Sequence, residues 1–97
     1  MTSMSFMPEL RDYLKEHGVI YTVRKYKMSP AIVEIEGIGE CKRLPLGTIT
    51  CVDDLKDYYK ESGFQTLEAW WAKIKYFIPR VETPKYLYRV EALDKDE

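Results

Sequence analysis

The sequence predicts a small α+β domain in which a curled, barrel-like sheet is capped by helices. Three observations carry this expectation. At 97 residues the chain has the size of a single domain with one core. With 45% apolar and 13% aromatic residues, it can cover a sheet with helices. The hydrophobic periodicity changes from helical to alternating and back without a regular strand–helix–strand alternation, which argues for an antiparallel or mixed sheet.

The elements follow in order. Met1 to Met7 carry no periodic pattern and read as a loose lead-in. Pro8 suits the first turn of a helix, and Leu10, Tyr13 and Leu14 recur at i, i+3 and i+4 up to His17. Gly18 then stands where a left-handed cap is expected. From Val19 to Lys27, β-branched and aromatic residues predict a strand with Val19, Tyr21 and Val23 on one face and Ile20, Thr22, Arg24 and Tyr26 on the other. Ser29-Pro30 ends it, and Ala31 to Glu36 alternates again with Val33 and Ile35 facing inward.

Gly37 to Pro45 reads as a glycine-kinked strand or loop, and Gly47 to Val52 as a short strand. Asp53 and Asp54 suit a helix N-terminus, which predicts a helix running to Gly63. Thr66 caps a further helix bearing Leu67, Trp70, Trp71, Ile74 and Phe77. Pro79 and Pro84 frame a loop, and Tyr86 to Leu93 forms the closing strand. One domain over residues 8–93 is expected, with flexible termini at 1–7 and 94–97.

Several functions are disfavoured by what the residues do not provide. Cys41 and Cys51 are too few and too far apart for a zinc knuckle, and the single His17 suits the cationic end of a helix better than a catalytic role. The chain has no glycine-rich phosphate loop and no nucleophile elbow, so neither a metal nor another cofactor is expected. Neither a secretory leader nor a window of about eighteen apolar residues is present, and a cytoplasmic protein that does not span a membrane is expected by elimination. The abundance of Lys, Glu, Tyr and Ile with few Asn and Gln would suit a thermophile.

The net charge is −1, so affinity for a polyanion requires local clustering of cations. Arg24, Lys25, Tyr26 and Lys27 form such a cluster, joined by Lys42 and Arg43 on the next basic segment. Cations release counterions on meeting phosphates, and an interleaved tyrosine offers a face on which a base can stack. The adjacent Trp70 and Trp71 lie about 100° apart around a helix, so one of the two is expected to be partly exposed; Trp71 is taken as the aromatic contact. Glu34, Glu36 and Glu40 could serve acid–base chemistry beside Arg24 or Lys27 if they shared a cleft, although solvated glutamates are the plainer reading.

The segment Gly18-Val19-Ile20-Tyr21-Thr22-Val23-Arg24 resembles the early part of the ASCH family, a branch of the PUA-like barrels, where a glycine and a lysine precede a Thr-x-Arg strand. Val52-Asp53-Asp54-Leu55, Glu61-Ser62-Gly63-Phe64 and Thr66-Leu67-Glu68 are similar to that family's Asp-Leu helix, Gly-Phe turn and following helix. Tyr86-Leu87-Tyr88-Arg89-Val90 is similar to its final strand, and the likeness covers about residues 8 to 93. The resemblance implies a small PUA-like/ASCH β-barrel with flanking helices and a role in RNA binding. It also brings the alternative of a small hydrolase acting on acetylated cytidine or on RNA, as some members do. The lysine that the amidohydrolase members place after the glycine is replaced here by Val19 or Ile20, so Thr22 carries over and the catalytic lysine does not. No catalytic residue is therefore assigned.

The site expected from these readings is an RNA-binding cleft lined by Thr22, Arg24 and Tyr26, with Lys27, Lys42 and Arg43 at its rim. A third alternative is an interaction protein, such as a homodimer anchored by Trp70 or Trp71.

Overall fold

The computed structural model describes residues 2–93. Strand β1 (Thr2–Ser3) leads into helix α1 (Pro8–His17), followed by β2 (Val19–Arg24), β3 (Ala31–Ile35) and β4 (Gly39–Ile49). Two short 3-10 turns (Val52–Leu55 and Tyr59–Glu61) precede helix α2 (Leu67–Phe77), and β5 (Lys85–Ala92) closes the chain. The strands form one sheet in the order β1-β3-β4-β5-β2, with every neighbouring pair antiparallel except β1 and β3.

The sheet is not closed into a barrel by strand pairing, because β1 and β2 stand at its opposite ends. One side chain of β2 reaches the segment after β1. Arg24 Nη2, on β2, donates to the carbonyl of Ser5 at 2.9 Å, just beyond Met4, whose N–H bonds to Glu34 on the far strand β3.

Strand alternation gives the sheet two faces, each with its own apolar cluster. On the inner face Ile20, Val33, Ile35, Cys41 and Val90 pack with Leu14 of α1 and with Met4. On the outer face Ile49 and Leu87 pack with Leu55 and with Trp70 and Ile74 of α2. Strand β5, held between β4 and β2, serves both, so it is buried at residues of either parity. The helices are set by local chemistry: Gly18 takes φ 82° and returns its N–H to Leu14, ending α1, while the Thr66 side chain accepts from Ala69 N–H and starts α2.

Four expectations are corrected. The segment expected to be a loose lead-in contains β1, whose Thr2 and Ser3 pair with Val33 and Glu34, and Met4 is buried beside it. Strand β2 stops at Arg24, not Lys27, since Tyr88 Oη holds the following loop by donating to Tyr26 O and accepting from Met28 N–H. The kinked loop and short strand are one strand, β4, because Cys41 to Pro45 finds partners on β5 and the proline falls at a register shift between Pro45 and Gly47. The helix expected over residues 53 to 63 is instead two 3-10 turns. There the backbone bonds run i to i+3, and the Ser62 hydroxyl competes for the chain by donating to Tyr59 O and accepting from Phe64 N–H. The terminal segment 94–97 lies outside the described residues.

Candidate functional site

The free edge of β2 opens onto a groove of about 640 Å³. Ser5, Phe6, Met7 and Leu10 make one lip, coming from the lead-in and the start of α1. Phe64 and the α2 stripe Trp70, Lys73, Ile74, Phe77 and Ile78 contribute the other. Thr22, Val23, Arg24, Lys25, Tyr26 and Met28 run between them. Strand alternation explains why: Thr22 and Arg24 come from the inner face and Val23 from the outer, so the groove wraps the strand edge.

Arg24 is the most constrained of the polar groups. Its Nε donates to Thr22 Oγ1 at 3.2 Å, its Nη2 to Ser5 O, and the Phe6 ring lies 4.8 Å from the guanidinium carbon. Burial first, and then the neighbouring Arg43 charge, push its pKa below the ordinary arginine value. Arginine starts so high that the group stays cationic. Among the described residues the ion pairs join Glu16 to His17, Glu82 to Arg80 and Glu91 to Arg89, and none reaches Arg24.

The groove is therefore cationic in a chain whose net charge is −1. Arg24, Lys25 and Lys73 line it and no described carboxylate does. Aromatic surface surrounds these charges. Tyr26 is 67% exposed and Phe77 56% exposed, whereas Trp70, at 3%, belongs to the wall. Lys73 Nζ stands 5.4 Å from the centre of the Tyr76 ring and 6.0 Å from that of Phe77, a cation held beside exposed aromatics at the groove's end. The arrangement can accept a ligand with flat apolar faces and negative charge.

No family model, curated protein or solved structure matches the chain.

Of the residues expected at the site, Thr22, Arg24 and Tyr26 line the groove together, the first two from one face of β2 and Tyr26 from the loop beyond it. Lys27, Lys42 and Arg43 do not. Lys27 is exposed in the loop after β2, and Lys42 is exposed on β4, opposite Ile32 and Glu91. Arg43 is buried where a rim position was expected, because its Nε and Nη2 both donate to Ser29 O and hold the same loop down. Trp71 is the less buried of the two tryptophans and packs against the outer-face cluster, away from the groove lining.

Glu34, Glu36 and Glu40 do not line the groove, so the acid–base grouping considered for a hydrolase is not assembled around Thr22. Sequence reasoning missed Phe6, Lys73 and Phe77. The last two carried a signal, since Lys73 and Phe77 share one helical face with Trp70 and Ile74. Phe6 carried none, because only the curl of the sheet brings the lead-in to β2.

Proposed function

We propose that this chain is an RNA-binding module, related to the ASCH branch of the PUA-like proteins, that receives single-stranded RNA in the groove beside β2. In that reading the curled sheet is a PUA-like barrel whose last seam is the Arg24–Ser5 bond, and the protein acts in the cytoplasm. The observation that carries the functional reading is a guanidinium without a carboxylate partner, set among exposed aromatic rings in a groove that bears two further cations.

The chemistry favours single strands. Arginine recognises phosphate through its planar fork of donors, and aromatic faces stack on bases only where those bases are unpaired. A base pair keeps its faces inside the duplex, so duplex RNA would meet the cations without using the rings. Three cations facing phosphates would release about three condensed counterions, giving log K against log salt a slope of about −2 for a single strand.

The test is a fluorescence titration, using the tryptophan in the groove wall as reporter, with one RNA sequence offered as single strand and as duplex across a range of salt. Tighter binding of the single strand, weakening with salt near that slope, is expected. Absence of binding to either form at low salt would overturn the proposal.

A further inference from the structure

Arg24 and Arg43 project from the same, inner face of the sheet. Their ladder partners on β5, Tyr86 and Val90, have like parity, with the buried Tyr88 between them. Both guanidinium groups are satisfied only by neutral acceptors: Thr22 Oγ1 and Ser5 O for Arg24, and Ser29 O for Arg43. Two largely buried cations on one face, with no described carboxylate bound to either, are an unbalanced arrangement. Burial, and after it the Arg43 charge, lowers the Arg24 pKa.

The imbalance has an outlet. A guanidinium carries five N–H donors, and Arg24 directs two of them to protein acceptors. Its Nη1 makes no bond among the described residues. Among the described residues no buried side-chain nitrogen or oxygen is left without a partner, so this nitrogen reaches solvent, and Arg24 lines the groove.

We propose that the ligand group seated on Arg24 is a phosphomonoester, either the phosphorylated end of an RNA strand or a free nucleoside monophosphate, with its base among Phe64, Phe77 and Tyr26. This rests on the RNA-binding reading of the same groove and names the part of the ligand it selects. An internal phosphodiester brings one negative charge, whereas a monoester brings about 1.5 to 2 near pH 7. The second charge gains most where further cations stand near the first, as Lys25 and Lys73 line the same groove as Arg24. A terminal group also reaches a part-buried donor with only one neighbouring nucleotide to accommodate.

The experiment compares one short single-stranded RNA bearing a 5′-phosphate, a 3′-phosphate or hydroxyls at both ends, together with adenosine monophosphate and adenosine, by fluorescence titration of the wild-type protein. One phosphorylated end is expected to bind at least about tenfold tighter than the hydroxyl form, and adenosine monophosphate tighter than adenosine. The monoester loses its second charge as pH falls through about 6, so the preference should shrink between pH 7.5 and pH 5.5. Arg24→Lys, which keeps the charge and removes the fork, should narrow the gap as well.

Equal binding of phosphorylated and hydroxyl-ended RNA would overturn the monoester inference and leave the RNA reading standing. Binding of adenosine monophosphate without binding of any RNA would sustain the phosphate seat and overturn the RNA reading. Failure of every ligand would overturn both. A preference that does not change with pH in the wild type would also count against the inference, whether or not the variant folds.

Discussion

Removing one hydroxyl, in Tyr88→Phe, should loosen the wall of the groove without touching its lining. Tyr88 is fully buried, and its Oη donates to Tyr26 O at 2.7 Å and accepts from Met28 N–H at 2.6 Å. These are the bonds that fold the loop after β2 back against the sheet, and Lys25, Tyr26 and Met28 on that loop line the groove. The ring keeps its volume in the variant, so no cavity larger than an oxygen atom is created. Two hydrogen bonds at about 0.5–1.5 kcal/mol each give a loss of about 1–3 kcal/mol. In a domain of this size that lowers Tm by several degrees for each kcal/mol, roughly 4–8 °C.

Urea unfolding followed by tryptophan fluorescence measures it, with a lower midpoint and an unchanged slope expected. Tyr86→Phe on the same strand is the control. Its hydroxyl makes no bond among the described residues, so its stability should stay within about 0.5 kcal/mol of wild type. If Tyr88→Phe is as stable as Tyr86→Phe, the loop is not held in the way described. RNA binding should weaken with the loop, under conditions where the variant is still folded.

Three further outcomes are expected. Arg24→Ala should weaken single-stranded RNA binding by about 1–3 kcal/mol, measured at fixed salt, while changing the unfolding midpoint little, because the bonds lost to Thr22 and Ser5 are offset by removal of a charge without a carboxylate partner. Gly63→Ala should destabilise the fold by about 1–3 kcal/mol in thermal unfolding. Gly63 has φ +87°, and an added Cβ would stand 2.6 Å from Leu10 Cδ2 at the groove lip. Asp54 is held below the ordinary carboxylate range first by the Thr50 N–H, then by the Thr50 hydroxyl and the Cys51 N–H. A depressed folded pKa gives stability that is fully present above the unfolded value of about 3.9 and lost as pH falls through the folded one. Asp54→Asn should therefore flatten the acid limb of the stability curve below about pH 4, and an unchanged limb would remove Asp54 from that role.

The sequence made the elements legible where one local signal dominated. Pro8, the Leu10-Tyr13-Leu14 spacing and Gly18 together define α1 at both ends, and Thr66 with the Trp70-Ile74 stripe defines α2. The alternation through Thr22 and Arg24 placed two side chains on one face, and both line the groove. Legibility failed where a contact distant in sequence decides the outcome. Tyr88 ends β2 from 60 residues or more away, β5 draws Cys41 to Pro45 into a continuous strand, and β3 captures Thr2 and Ser3.

The same limit governs the site. Arg43 lies beside Lys42 in a basic run, and nothing in that run distinguishes a rim cation from one buried under Ser29. Strand parity assigns the two residues to opposite faces, but only the loop supplies the carbonyl that takes Arg43 inward. A strand drawn through to Lys27 puts Lys25 on the face opposite Thr22. Once the strand stops at Arg24, parity no longer applies, and Lys25 lines the groove.

Backbone amide shifts of the isotope-labelled protein, recorded as single-stranded RNA is added, test the placement of the site most directly. Thr22, Arg24, Tyr26, Lys73 and Phe77 should move together and saturate at one affinity, while Glu34, Glu36 and Lys42 stay in place. Shifts confined to the β3–β4 side of the sheet, with the β2 edge unmoved, would contradict the account.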